Sequence, residues 1–274
     1  MKTKSTPHFA AATLAILAAA SGAWATELTP KEVMSRSESS RKVSEITATC
    51  KLTQTTKGKD AKLKSFQWWR KIADNSLDYR TLVRFTQPAA VKGEGILIVE
   101  KDKAENEVLL YLPAFKKIRR VENQQQTGKF MGSEFSYSDI ATPHLDDYTY
   151  SGGKQEPCPG KTHSGVACYL IEAKPASPKI QERTGYQRTM NWVRSDNFMV
   201  AQVEYFDLEN SLIKRLEASD IRKVDEAHSK WMAYRTEMHQ LKTGNSSLIE
   251  FVTAKVNGGV PESTFTQQNL SRSE

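Results

Sequence analysis

The sequence predicts a mainly β chain: one curved antiparallel sheet forming an incomplete, half-open β-barrel, with an N-terminal helix and short helical lid segments. Three observations lead there. From Val43 onward apolar residues recur with a period near 2, the signature of half-buried strands. The strand-length runs are divided by short clusters of Gly, Pro, Asn and Asp, so neighbouring strands are joined by turns. The strand–helix alternation of a parallel sheet is missing from the pattern.

The chain opens with a secretory signal pattern. Lys2 and Lys4 precede an apolar run from Phe9 to Ala20, and Ala23-Trp24-Ala25 supplies a small-x-small cleavage site. Residues 1–25 are therefore read as a signal peptide and 26–274 as a single exported, soluble periplasmic domain. The apolar run is shorter than the roughly 20 residues that cross a bilayer. Thr26, where a lipid-anchored protein would carry cysteine, argues against tethering. Loss of Lys2 and Lys4 lowers the formal charge from +7 by two. Basic residues are scattered among acids, which excludes a nucleic-acid footprint and leaves either a solvated basic surface or encounters with anionic membranes.

Three cysteines are present. Cys158 and Cys168 flank the turn-rich Pro159-Gly160-Lys161-Thr162-His163-Ser164-Gly165, and an oxidising compartment favours a disulfide between them. Cys50 alternates within Ile46 to Leu52 and reads as a buried free thiol. No Cys-x-x-Cys and no histidine pair at ligand spacing point to a metal.

Thr29-Pro30-Lys31-Glu32 is a capping box with proline where no N–H is needed, so a helix runs from there to about Lys42. With Val33 and Met34 as its main apolar positions, it lies against something larger. Strands follow near 43–56, 62–73, 77–87, 94–101, 106–112 and 116–122, then 146–151, 166–174, 186–195, 198–207, 211–224, 230–240 and 247–256. Asp74-Asn75, Glu105-Asn106, Asp196-Asn197 and Glu209-Asn210 are hairpin tips, since Asn and Asp tolerate left-handed backbone. Leu77, Tyr79, Thr81, Val83 and Phe85 alternate with Asp78, Arg80, Leu82 and Arg84, giving a greasy face and a charged one. Two short helical stretches offer little cover for so wide an apolar face. The interior is then either partly empty or closed on its own side chains.

Residues Gln124 to Ala141 break the strand pattern. A polar Gln-Gln-Gln-Thr-Gly run precedes Phe130, Met131 and Phe135, with Gly128 and Gly132 between. Such an apolar loop either lids the interior or completes the core.

The ordered blocks Gln87-Pro88-Ala89-Ala90-Val91-Lys92-Gly93, Leu110-Tyr111-Leu112-Pro113-Ala114-Phe115-Lys116-Lys117-Ile118-Arg119-Arg120 and Phe130-Met131-Gly132-Ser133-Glu134-Phe135-Ser136-Tyr137-Ser138-Asp139-Ile140 resemble the outer-membrane lipoprotein-sorting family related to the LolA carrier. Cys168 to Pro175 and Phe265-Thr266 are similar to it as well. Glu134 and Ile140 stand where the family pattern reads Asp and Leu. The resemblance implies a LolA/LolB-like barrel with helices lodged in the concave side and acyl chains held between. It implies a role in outer-membrane biogenesis: lipid or lipoprotein cargo, transient membrane contact and an inner-membrane exporter of the resistance-nodulation-division type as partner. The chain is read as a monomer, without nucleic acid or cofactor. The alternative role is a non-enzymatic accessory subunit of such a transporter that carries no lipid.

A carrier of this kind needs apolar lining. On the strands the candidates are Phe66, Trp68, Val83 and Phe85, then Ile96, Ile98, Leu110 and Leu112, then Val203 and Tyr205. In the loop they are Phe130, Met131, Phe135 and Tyr137. A slip of one residue would substitute Trp69 for Trp68, or Leu97 and Val99 for Ile96 and Ile98. Arg80, Arg84, Arg119 and Arg120 are read either as solvated charge or as contacts to lipid phosphate. No Gly-x-Ser-x-Gly elbow, His-Glu-x-x-His pair or phosphate-cradling loop is present, so no catalytic residue is assigned. His144 beside Asp146-Asp147 is the remaining acid–base candidate, and an unrecognised hydrolase is the third reading.

Overall fold

The computed structural model describes residues 27–73, 78–101 and 105–272. The expected signal at residues 1–25, the Asp74-Asn75 tip and Leu77 lie outside them. Helix α1 (Pro30–Arg41) starts where the capping box places it: the Thr29 side chain accepts from the Glu32 N–H, and the Glu32 carboxylate accepts from the Thr29 N–H at 2.7 Å.

Strands β1 (Glu45–Thr55), β2 (Lys62–Ile72), β3 (Tyr79–Gln87), β4 (Gly95–Glu100), β5 (Glu107–Leu112) and β6 (Lys117–Arg120) form a first meander. A long connection containing α2 (Tyr137–Ile140) leads to β7 (Tyr148–Pro157) and β8 (Ala167–Pro175). Then come α3 (Pro178–Thr184), β9 (Arg188–Arg194), β10 (Val200–Phe206), β11 (Leu212–Asp225), β12 (Lys230–Gln240) and β13 (Asn245–Val256), with α4 (Gln267–Leu270) near the end. All thirteen strands join one antiparallel sheet in the order β6-β5-β4-β3-β2-β1-β13-β12-β11-β10-β9-β8-β7. Pairing of β1 with β13 fuses the two meanders, while β6 and β7 remain as the unpaired edges of an open, curved barrel. The connection from β6 to β7 must therefore travel from one edge to the other. It does so over the concave face.

Period-2 patterning decides the faces. Phe66, Trp68, Val83, Phe85, Ile96 and Ile98 are buried on the concave side in one cluster with Phe130 and Phe135. Trp69, Leu97 and Val99 lie in a second cluster on the convex side. The convex face is not simply the charged surface that alternation in β3 suggests. Residues Val260, Phe265 and Leu270 fold back over β3, β4 and β5 and bury Leu82, Leu97 and Leu109. Gly95 permits the approach, because a Cβ there would sit 2.8 Å from Leu270 Cδ1. Arg84 is consequently buried and donates to the Asn269 carbonyl, and Arg80 pairs with Glu262.

Two other local differences have clear causes. The strand expected at 146–151 continues to Pro157, because Gly152 and Gly153, at φ +91° and +106°, form a bulge after which pairing with β8 resumes. Helix α3 was not expected; Ser177 caps it, Pro178 begins it and Gly185 ends it in the left-handed region. Cys158 and Cys168 are joined by a disulfide across the β7–β8 hairpin, and Cys50 is a buried free thiol whose proton affinity burial raises. Among the described residues no helix is long and apolar enough to cross a membrane.

Candidate ligand-binding site

The concave face is divided into a packed half and an open half. In the packed half, the β6–β7 connection drops a tight turn into the sheet. Phe130 N–H donates to the Phe135 carbonyl at 2.8 Å, Lys129 and Ser136 form an isolated antiparallel bridge, and Met131 and Gly132 take positive φ to close the turn. Phe130 and Phe135 point into the sheet, where Phe130 meets Phe85 at 6.4 Å and Tyr137 edge-on at 6.0 Å between ring centroids. Polar bonds tie the turn down on its other side: Lys64 Nζ donates to the Met131 carbonyl at 2.7 Å, and the Glu134 N–H to Ser247 Oγ at 3.0 Å.

The chain then leaves through α2, capped reciprocally by Ser136 and Asp139. Asp139 is nearly inaccessible. Its Oδ1 accepts from the Tyr186 hydroxyl at 2.8 Å, while Lys214 Nζ lies 3.1 Å from Oδ2 and 2.8 Å from the Tyr186 oxygen. Burial first, then the Asp139 charge, keeps the Tyr186 phenol protonated well above its ordinary range. These three side chains fasten α2 to β11 and to the α3–β9 connection.

Beyond this triad lies the open half. A cavity of about 310 Å³ lies between α1, residues 138–145 and the strands β7 to β12; Met34, Ile140, Val203, Tyr205 and Leu216 give it an apolar wall. A second space of about 270 Å³ adjoins it beneath β1, β2 and β12, bordered by Ile46, Trp68, Trp231 and Phe251. Glu38, Arg41, Arg70, Thr142, Met199 and Thr236 border both, so the two form one crescent. Together they are of the size that holds a small apolar ligand. Tyr148, on the same wall, is pushed up to about 12 by burial.

Helix α1 roofs this half by packing Val33 against Ile171 of β8 and Val193 of β9. Its last residue, Arg41, faces the crescent. Arg70, which follows Trp68 on the inner face of β2, pairs with Glu100 at 3.0 Å, donates to Thr142 and stacks over Tyr79 at 4.3 Å.

Of the residues expected to line a hollow, Phe66, Val83, Phe85, Ile96, Ile98, Phe130 and Phe135 are together in the packed half. Leu110, Met131 and Tyr137 pack against that cluster from its margin. Trp68, Val203 and Tyr205 border the open spaces. Leu112 is half-buried at the end of β5. The remaining wall, from α1, β7, β9 and β11, was not foreseen; Tyr148 and Tyr150, alternating at the start of β7, were the available signal. Arg119 and Arg120 are exposed on β6. Asp147 is held by Arg183 at 2.6 Å, which commits its carboxylate to anchoring α3 rather than to His144.

A family model described as an uncharacterized protein matches residues 78–272. The chain belongs to that family. No curated protein matches it. Among solved structures it is similar to a domain from Vibrio parahaemolyticus named as an outer membrane lipoprotein-sorting protein (TM-score 0.79, 22% identity, covering 89% of this chain and 98% of that one). It is also similar to a DUF1329 family protein from Desulfovibrio piger (TM-score 0.81, 23% identity, 89% and 100%) and to a LolA superfamily protein from Nitrosomonas europaea (TM-score 0.66, 18% identity, 88% and 99%). This chain therefore shares the fold of these LolA-like structures, an open antiparallel barrel.

Proposed function

We propose that this chain is a periplasmic carrier that holds the acyl chain of a lipid or lipid-modified protein in the open half of its barrel and moves it between membranes, without catalysis. The observation that carries the reading is the crescent beneath α1, a space with a largely apolar wall that the protein's own side chains leave unfilled while Phe130 and Phe135 fill the other half. A chain of about 14 carbons crossing water unshielded would cost on the order of 10 kcal/mol at about 0.8 kcal/mol per methylene. A carrier must offset that cost without trapping its load. Methionine and aromatic walls suit both demands, because they offer area and tolerate varied chain shape. The packed half, lined by Phe66, Val83, Phe85, Ile96, Ile98 and Leu110, is the floor of the site, and it adds apolar surface for a longer cargo when the Lys129–Ser136 turn withdraws.

The disulfide between Cys158 and Cys168 supports an oxidising compartment. The β5–β6 hairpin supports membrane contact: Phe115 stands 68% exposed at its tip beside Lys116 and Lys117, an arrangement that fits an anionic bilayer surface. An inner-membrane exporter of the resistance-nodulation-division type remains our proposed donor or acceptor of the cargo. Lipid extraction of protein isolated from the periplasm, followed by mass spectrometry, tests the reading. Stoichiometric co-purifying lipid is expected, and protein repeatedly free of lipid that also refuses added lipid contradicts it.

A further inference from the structure

Arg41 is the unusual group in the crescent. It ends α1 where both spaces meet, and among the described residues its guanidinium makes no hydrogen bond and no ion pair. Its side chain is exposed where the hollow opens; the surrounding protein lowers its proton affinity by desolvation, and the nearby positive charge of Arg70 acts in the same sense. Arg70 has its own counter-ion in Glu100. Glu38, one turn back on α1, faces the same space and partly offsets Arg41, but stays beyond ion-pair distance. The other groups near Arg41 are Tyr79 and Tyr150, both held neutral by burial. A guanidinium that borders both spaces without a fixed partner is free to meet an anion that enters them. Favourable interaction with the C-terminus of α1 accounts for a basic residue near this point. It does not account for one set at the junction of two spaces with largely apolar walls.

We propose that Arg41, supported by Arg70, docks the acidic headgroup of a single-chain amphiphile, a carboxylate or phosphate at the end of an acyl chain, while the hydrocarbon lies along the crescent. Guanidinium suits such a group because its planar fork can donate two parallel hydrogen bonds. The inference rests on the carrier reading and narrows its cargo to anionic lipid.

The test is displacement of a bound apolar dye from the intact protein by oleate, by oleyl alcohol, which has the chain without the charge, and by inorganic phosphate, which has the charge without the chain. For the wild type, oleate should displace the dye at a concentration at least tenfold below oleyl alcohol, and phosphate should not displace it. Arg41→Gln should bring oleate to the level of the alcohol and leave the alcohol unchanged, and Arg41→Lys should keep part of the preference. Equal displacement by oleate and alcohol in the wild type, or parallel loss of both in folded Arg41→Gln, overturns the headgroup assignment and leaves the carrier reading intact. Displacement by phosphate alone overturns the lipid assignment in favour of a free anion. Failure of the wild type to bind the dye or either amphiphile overturns the carrier reading itself.

Discussion

The Tyr186 hydroxyl donates to Asp139 at 2.8 Å inside the barrel, joining the segment that crosses the hollow to the sheet it crosses. Lys214 completes the arrangement by reaching both partners, and the side chains of Asp139 and Lys214 are only 2% and 11% exposed. Tyr186→Phe removes the hydroxyl and leaves a buried acceptor and a buried donor each short of one bond. Such a loss costs about 1–3 kcal/mol. Urea denaturation should show a lower midpoint with an unchanged slope, and a midpoint equal to the wild type would remove the triad from the account.

Phe130 distinguishes a structural plug from a loosely held lid. It is fully buried against Phe85 and Tyr137, so Phe130→Ala should destabilise the protein by about 3–5 kcal/mol if the turn is part of the folding core. Equilibrium unfolding measures this directly. A cost below about 1 kcal/mol would mean that the turn already leaves the sheet readily.

His163 sets an acid limit. Arg194 Nη1 lies 3.1 Å from its Nδ1 and must donate there, so Nε2 carries the proton that bonds the Ala218 carbonyl at 2.8 Å. Burial first, with the Arg194 charge also contributing, lowers its proton affinity in the fold. The unfolded chain therefore takes up the proton at higher pH than the folded one. The stabilising contribution is complete above the ordinary histidine range, near 6.5, and fades as pH falls through the lower folded value. Thermal unfolding followed between pH 7 and 5 should show this loss, and His163→Asn should flatten it.

Phe115 can be removed without touching the core. Phe115→Asn should weaken co-sedimentation with vesicles containing anionic lipid several-fold while leaving the unfolding midpoint unchanged. Added salt should weaken wild-type binding further, because Lys116 and Lys117 supply the electrostatic part.

Much of the sheet is legible in the sequence because period 2 is a local property. The strands around Phe66 and Trp68, and around Val83 and Phe85, follow from alternation alone, and the capping box at Thr29 announces α1. What was missed depends on long-range contacts or on overlooked punctuation. Helix α3 is marked by Ser177, Pro178 and Gly185, a complete set of start and stop signals within a region otherwise rich in strands. The covering of the convex face by Leu270 left one trace: Ile96-Leu97-Ile98 is apolar on both faces, as a strand buried on both sides requires. Arg41 left none, since a basic residue in the last turn of a helix is ordinary. Its meaning comes from the spaces that meet around it.

The central claim is that the crescent beneath α1 admits hydrocarbon, and blocking that space tests it most directly. Thr189, on β9, faces the cavity, and Thr189→Trp would fill part of it. Titration with a polarity-sensitive apolar dye should show saturable binding to the wild type and at least tenfold weaker binding to the variant, with equal far-ultraviolet circular dichroism for both. Equal dye binding by the two proteins, or none by either, would contradict the account.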